Sequence, residues 1–428
     1  MQKYFLHVLG CAMNISDSER IDQILSDLGY SKTRKENEAN VFIVVACSVK
    51  QSAINRVYGK IHNWNKLKKN QDITTILTGC VLETDKKSFL QKFDHVININ
   101  EISKLPEILN KKKQNYNRDY FKITPQRTNN FQALVPIMTG CNNFCSYCAV
   151  PYVRGREKSR AKNEIIKECQ GLIKSGYKEI TLVGQNVNSY QPEHLSKITA
   201  TGKFDFVDLL EKIASISGDF WIKFVSPHPK DTSLILIKTI AKHKNICNYF
   251  HLPLQSGSDK ILESMNRPYT QKKYLNLVKN IYKYIPNVQI STDVILGFPG
   301  ETKKDFNETI KIFKQANFTM TFISKYSPRK ETKAFELEDD VTYAEKKIRE
   351  EEINIVLAKT ALENNKKLLN QNIKVLITEK KNKDYFGITE HNKNVKIKSV
   401  KSLKIGSFQI VKITKIETWK ISGEIKRA

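Results

Sequence analysis

Three cysteines, Cys141, Cys145 and Cys148, fall inside the run MTGCNNFCSYCAVPY with gaps of three and then two residues. Thiolates this close on the chain are soft donors suited to zinc or to an iron–sulfur cluster. A closed tetrahedral zinc site needs four ligands, and no fourth Cys or His lies near enough to finish a local knuckle. A second triplet sits nearer the amino terminus, where Cys11 ends YFLHVLGC, Cys47 ends NVFIVVAC and Cys80 ends TTILTGC. Each of those runs reads as a strand. If the strands are parallel, all three thiols emerge at the carboxyl edge of one sheet, where α/β folds place their ligands. Buried thiols are the bland alternative, but three consecutive strands ending in Cys favour a shared metal centre. Cys169 shares an apolar helix face with Ile165, Ile166, Leu172 and Ile173, and Cys247 opens an apolar strand, so both read as packing. Two triplets, neither with a fourth protein ligand, suit two 4Fe-4S clusters better than two zinc ions, because such a cluster can leave one iron to a non-protein ligand.

Elements on either side must position these thiols. Up to about residue 326, Val- and Ile-rich runs alternate with amphipathic stretches, the pattern of strand–helix units around a parallel sheet. Strands are predicted at YFLHVL, NVFIVVA, TTILTG and HVININ. Helices are predicted at SDSERIDQILSDLGY, capped by Ser16 or Ser18 with Glu19, and at QSAINRVYGKIHNW. Together they make a doubly wound α/β domain over residues 1–118, left through the charged, aperiodic linker KKKQNYNRDYFKITPQRTNN. Six further strands, at ALVPIMTG, EITLVGQ, WIKFVSP, YFHLPLQ, VQISTDVILGF and TFISKY, alternate with helices over residues 127–364 and predict a partial (β/α)6 barrel. The charged TYAEKKIREEEINIVLAKTALENNKKLL reads as a long helix carrying the chain away from that domain. Residues 366–428 alternate apolar and polar in short runs with Gly and Asn turns, the pattern of a small β-barrel.

At 428 residues the chain is too long for one ordinary core. Its apolar runs are strand-sized, so a soluble cytoplasmic protein without membrane contact is expected. The formal net charge is +27, from 71 Lys and Arg against 44 Asp and Glu, and points to a polyanionic partner; Lys-rich composition bias is the alternative. The excess concentrates in residues 366–428, with 16 Lys and Arg against 5 Asp and Glu. There Lys396 and Lys398, with Tyr385, Phe386, Phe408 and Trp419, suit phosphate contact and base stacking, Phe408 being the first to assign to the core. A monomer is expected, since no spare apolar helix stands out.

Several loops follow predicted strands at the carboxyl mouth of the barrel: Gly184 with Gln185 and Asn186, Gln255 with Ser256 and Gly257, and Gly297 with Pro299 and Gly300. Their small residues permit close backbone approach to a nucleoside or amino acid; simple βα turns are the alternative. The basic run RGREKSR, with Arg154, Arg156, Lys158 and Arg160, directly follows the cysteine loop. It could grip nucleic-acid phosphates, line the cleft or be solvated surface.

CNNFCSYC, with Tyr147 before its last Cys, resembles the CxxxCxxC loop of the radical S-adenosylmethionine superfamily. GCAMNISDSE, AVPYVRGREKSR, EITLVGQNVNSY, HLPLQSGSDKILESMNRPYT and STDVILGFPGET together look like its methylthiotransferase branch, over nearly the whole chain. VGQNVNSY and RGREKSR resemble most the tRNA enzymes that act on N6-isopentenyladenosine beside the anticodon. Ala12, VVACSVKQ and TGCVLET depart from that branch's usual residues, but none of the departures touches a ligand.

The resemblance implies that Cys141, Cys145 and Cys148 hold a 4Fe-4S cluster whose open iron is chelated by S-adenosyl-L-methionine, with Tyr147 beside the cofactor. It implies that Cys11, Cys47 and Cys80 hold an auxiliary 4Fe-4S cluster and that the C-terminal barrel is an RNA-binding TRAM domain. It further implies that one electron cleaves S-adenosylmethionine to methionine and a 5′-deoxyadenosyl radical, which would take hydrogen from C2 of adenine. That position has no acidic proton, so no side chain is assigned an acid–base role. A sulfur methylated by a second S-adenosylmethionine then enters at C2. The implied partners are the anticodon stem-loop of tRNA and an electron donor that the sequence does not identify. Sibling enzymes acting on threonylcarbamoyl-adenosine or on a ribosomal-protein aspartate need the same six cysteines, while a structural iron–sulfur RNA-binding protein has no use for an open iron.

Overall fold

The computed structural model describes residues 2–48, 51–110, 119–192 and 205–425. Five parallel strands, β1 (Lys3–Val8), β2 (Ser31–Lys32), β3 (Val41–Cys47), β4 (Thr74–Cys80) and β5 (His95–Val96), form the first sheet in the order β2-β1-β3-β4-β5. It is doubly wound, because α1 (Ala12–Asp27) packs Ile21, Ile24 and Leu25 on Val41, Ile43 and Val45. On the opposite face α2 (Gln51–Leu67) and α3 (Glu83–Phe89) pack Val57, Ile61, Trp64 and Phe89 on Phe42 and Val44. Helix α1 starts at Ala12 with Cys11 at its N-cap, not at Ser16 or Ser18. The expected strand HVININ shortens to two residues, since the Asn98 side chain accepts from Asn100 N and opens a 3-10 turn. The first eight linker residues lie outside the described ones. The rest is not a free linker: Tyr120, Phe121 and Ile123 are buried in the α1 core beyond the short α4 (Leu105–Ile108).

The central domain holds the six expected strands, all parallel within two three-stranded sheets. They are β6 (Gln132–Pro136), β9 (Glu179–Val183) and β10 (Trp221–Phe224) in one, and β11 (Tyr249–His251), β12 (Gln289–Leu296) and β13 (Met320–Lys325) in the other. An Ile222–Ile246 bridge joins β10 to the segment before β11, giving an open barrel. A small antiparallel pair, β7 (Met138–Thr139) with β8 (Lys158–Ser159), interrupts the run after β6 and frames the cysteine loop and α5 (Val150–Arg154). Outside lie α6 (Lys162–Lys174), α7 (Asp205–Ala214), α8 (Leu234–Lys242), α9 (Asp259–Ser264), α10 (Gln271–Tyr284) and α11 (Lys303–Ala316). Cys169 and Leu210 are fully buried in the core between helices and strands. Helix α12 (Tyr343–Lys366) does not leave this domain: Ile353 and Leu357 join the same core, and Arg349 donates from Nη1 to Glu301 Oε1 at 2.9 Å. Its charges hide a stripe recurring every three or four residues that covers β12 and β13.

Two packings tie the domains together. Helix α1 is buried nearly all round, including Asn14, Ser16, Asp17, Arg20 and Asp22, because its second face meets Val183, Leu134 and Val225 on the inner side of β9, β6 and the end of β10. At the other end of the barrel sits a closed five-stranded β-barrel of β14 (Asn372–Lys381), β15 (Asp384–Thr389), β16 (Asn394–Lys398), β18 (Ile421–Glu424) and β17 (Phe408–Ile416), in that order. Tyr385, Val395, Val411 and Ile413 fill it. Phe408, the aromatic first assigned to the core, is not in that interior: it is half-buried against Trp221, ring centroids 4.6 Å apart, because it faces the central domain. Lys374 pairs with Asp219 at 2.6 Å and Asn248 Nδ2 donates to Glu390 Oε2 at 3.3 Å, so this barrel covers the amino-terminal ends of the central strands.

Candidate metal centres

The first triplet occupies a loop built by backbone constraint. Gly140 has φ +78°, and a Cβ there would stand 2.1 Å from Arg156 O, so only glycine fits. Its N–H donates to Gln185 Oε1 at 2.7 Å, Cys141 N donates to Gly155 O at 3.1 Å, and Cys148 N to Cys145 O at 2.9 Å. Ser146 Oγ donates to Ser264 O, and the Asn266 side chain to Asn143 O and Phe144 O, which pins the loop to α9 and the residues after it. Burial pushes the Cys141 thiol up to about 11 and Cys148 up to about 12. Arg267, itself buried, donates from Nη1 to Cys145 Sγ at 3.5 Å and from Nη2 to Pro253 O at 2.9 Å. Tyr147 packs beside Ile261, Met265, Phe298 and Tyr326.

Strand ends assemble the second triplet. Cys47 and Cys80 are register partners on β3 and β4, and a Cβ on Gly10 would lie 3.2 Å from Cys47 Cβ, which brings the end of β1 and Cys11 alongside. Cys11 is exposed, Cys47 half-buried and Cys80 buried. Burial pushes the Cys80 thiol up to about 12 against the opposing pull of Arg154, whose Nε donates to its Sγ at 2.9 Å. Cys80 and Cys47 pack on Ala149 and Val153, and Ala149 directly follows Cys148. The second triplet therefore packs on the residues that directly follow the first. Among the described residues no three Cys, His, Asp or Glu side chains converge on one metal ion.

Residues 135–313 match the Radical SAM superfamily, and residues 3–99 match the Uncharacterized protein family UPF0004. Over 445 residues the chain is 39% identical to the tRNA-2-methylthio-N(6)-dimethylallyladenosine synthase of Dictyoglomus thermophilum, covering 100% of this chain and 99% of that one. The chain belongs to the tRNA-2-methylthio-N(6)-dimethylallyladenosine synthase family. A second relative of the same name, from Fusobacterium nucleatum, is 37% identical over 99% of this chain and 100% of its own. The fold is similar to that of the radical S-adenosylmethionine methyltransferase TsrM from Kitasatospora setae, at a TM-score of 0.53 and 12% identity, over 76% of this chain and 73% of that one.

Within this synthase-family chain the loop residues divide. Gln185 holds the cysteine loop, and Gly184 allows it to approach, since a Cβ there would stand 2.5 Å from Met138 Cγ. Asn186 is buried, donates to Asp231 Oδ2 at 3.0 Å and leaves its Oδ1 without a partner among the described residues. Gln255 adopts φ +70° and donates its N–H to Asp293 O, while Ser256 Oγ accepts from Ser258 N. Gly257 points elsewhere: a Cβ there would lie 2.4 Å from Thr309 Cα, so its smallness serves the packing of α11 rather than a ligand. Gly297 likewise makes room for Lys346, whereas Gly300 has open space around it.

The basic run needs a correction too. Arg154 is 4% exposed and pairs through Nη2 with Asp17 Oδ2 at 2.5 Å, so it grips no phosphate. Arg160 is tied to Glu168 and Glu164 of α6. Arg156, stacked over Phe144 at 4.3 Å, and Lys158 remain on the surface. Lys396 and Lys398 are exposed on β16, Lys396 near Asp384 at 2.8 Å. Sequence reasoning missed Arg267, Asp17 and Tyr120. Arg267 lies inside the run NRPYT, but nothing local marks it as a partner of Cys145.

Proposed function

We propose that this protein adds a methylthio group to C2 of N6-dimethylallyladenosine next to the anticodon of tRNA, using two 4Fe-4S clusters and S-adenosylmethionine. Cys141, Cys145 and Cys148 hold one cluster, and Cys11, Cys47 and Cys80 the auxiliary one. The observation that carries this reading is that Cys47 and Cys80, of one incomplete thiol triplet, pack on Ala149 and Val153, which directly follow the last cysteine of the other. When bound, the clusters and S-adenosylmethionine supply the one-electron chemistry and the sulfur transfer. The chain positions and shields. Gly140 and Gln185 fix the cysteine loop, Arg267 orients Cys145, and Tyr147 lies among apolar side chains that keep water away.

Helix α1 covers the inner face of β6 and β9, while Met320 and Phe322 on β13 stay exposed. On β12, Ile290 and Val294 face the helices, so Ser291 and Asp293 face inward. His251 bonds both, Nδ1 to Ser291 Oγ at 2.9 Å and Nε2 to Asp293 Oδ2 at 3.0 Å, beside a Phe322 ring that is 50% exposed. An aromatic surface next to a carboxylate suits a base carrying an N–H. Exposed Lys396, Lys398, Arg156 and Lys158 suit tRNA phosphates, and Trp419, 54% exposed, offers a stacking surface. An electron donor outside the chain is required. Among the described residues no helix is long and apolar enough to cross a membrane. A tRNA substrate supports a cytoplasmic location.

Nucleoside mass spectrometry of tRNA from cells lacking the gene is expected to show loss of the 2-methylthio form and accumulation of N6-dimethylallyladenosine. An unchanged profile would refute this substrate. Affinity of the full chain for tRNA is expected to fall steeply with salt, and Lys396→Ala with Lys398→Ala to lower the slope of log K against log salt by about 1 to 2. A slope unchanged in the double variant would remove β16 from the phosphate contacts.

A further inference from the structure

Three buried arginines surround the cysteines. Arg154 and Arg267 each donate to a thiol; Arg154 also donates from Nη2 to Asp17, and Arg267 from Nη2 to Pro253 O and from Nε to the Tyr269 hydroxyl. Arg329 is different. It is 7% exposed, its Nη1 donates to Gln51 Oε1 at 2.6 Å, and its Nε and Nη2 have no partner among the described residues. Those two atoms form the side-on edge with which a guanidinium grips an anion. A buried, permanently charged group with an unmet edge is costly unless a ligand meets it.

Its place in the fold says where that ligand sits. The segment after β13 crosses from the central domain onto the amino-terminal one. Arg329 reaches Gln51, four residues after Cys47, and Glu331 Oε1 accepts from Thr84 N at 2.7 Å, four residues after Cys80. Glu331 takes up φ +70° to do so. The same segment returns to the other triplet, where Ala334 N donates to Ser146 O at 2.8 Å. Asp85, and after it Cys47, lie near enough to favour the charged guanidinium of Arg329, and Asp85 Oδ2 is also buried without a partner among the described residues.

We propose that Arg329 is a positioning residue of the auxiliary centre, its free Nε–Nη2 edge binding a small anionic sulfur ligand, hydrosulfide or thiolate, beside Cys47. The class of ligand follows from charge and from the reaction. A cationic edge asks for an anion, and a sulfur that is to be transferred arrives as hydrosulfide or thiolate. This inference rests on the function proposed above. The rival is that Arg329 serves only as a bridged ion-pair partner of Asp85.

The test uses the full chain reconstituted with iron and sulfide, as wild type, Arg329→Met, Arg329→Lys and Asp85→Asn. Each is titrated with methanethiolate while the electron paramagnetic resonance spectrum of the auxiliary cluster is followed, with iron content measured on the same samples. The expected result is wild-type binding weakened about 10- to 100-fold in Arg329→Met, the loss of one or two charge-assisted hydrogen bonds, at unchanged iron content. Arg329→Lys should recover part of the affinity, and Asp85→Asn should bind at least as well as wild type. Equal affinity in wild type and Arg329→Met overturns the inference, as does weakening in Asp85→Asn equal to that in Arg329→Met. If Arg329→Met fails to hold iron, wild type against Arg329→Lys decides: a weakened, spectrally shifted thiolate complex supports the inference and an identical one overturns it. Wild type with only one cluster would sink the proposed function itself, whereas two clusters with thiolate binding indifferent to residue 329 would sink this inference alone.

Discussion

Arg154→Met is expected to destabilise the protein by about 3–5 kcal/mol, read as a lower denaturant midpoint at unchanged slope. The Arg154 and Asp17 side chains are 1% and 0% exposed, so neither charge is shared with solvent. Removing the guanidinium leaves the Asp17 carboxylate buried with the Tyr120 hydroxyl donating to its Oδ1 at 2.6 Å, one neutral donor where a full charge had stood. The same change strips Cys80 of its N–H donor and loosens the contact between α5 and α1 that joins the two domains. Most of the loss should come from the orphaned carboxylate rather than from a large net value of the pair. The double variant Arg154→Met with Asp17→Asn should therefore regain much of the stability, a coupling that a double-mutant cycle measures. By comparison Lys374→Ala, which breaks a solvated pair with Asp219, should cost less than about 1 kcal/mol. A loss that small for Arg154→Met would show that the buried pair is not what holds the interface.

Cys141→Ala is expected to halve the iron of the reconstituted protein and to abolish modification of tRNA. Each triplet supplies only three thiolates, so losing one leaves two, and the loop has little freedom to rearrange: Gly140 is locked against Arg156 O, and the Asn143 and Phe144 carbonyls accept from Asn266. Cys80→Ala should halve the iron in the same way while leaving reductive cleavage of S-adenosylmethionine intact, because the loop after β7 is built without Cys80. Iron analysis, with cleavage assayed by release of 5′-deoxyadenosine, separates the two variants. Zinc in place of iron, or iron unchanged by Cys141→Ala, would refute the assignment of that loop.

The elements were legible because their patterns are local. VFIVVAC is apolar on both faces, as a strand covered by helices on each side must be, and TTILTGC pairs with it in register, so cysteines 33 residues apart become neighbours once the strands are parallel. The cap was read less well: α1 begins at Ala12 behind Cys11, one turn ahead of the Ser16 and Ser18 signal. Less of the site could be read. A basic run carries no mark of whether an arginine will be solvated, and Arg154 and Arg156, two residues apart, have opposite fates because α1 lies over one and not the other. Gly257 and Gly184 look alike in sequence, yet one makes room for a helix and the other for the cysteine loop.

Sequence by itself determined which residues can ligate and which strands carry them, because side-chain chemistry and hydrophobic period are properties of a short stretch of chain. Tertiary structure alone decided that Cys47 and Cys80 pack on the residues directly after Cys148, that Asp17 and Arg154 meet from positions 137 residues apart, and that Arg329 reaches Gln51, four residues after Cys47. Burial of a charge depends on what other segments cover it and what partner they bring, and no local pattern contains that information.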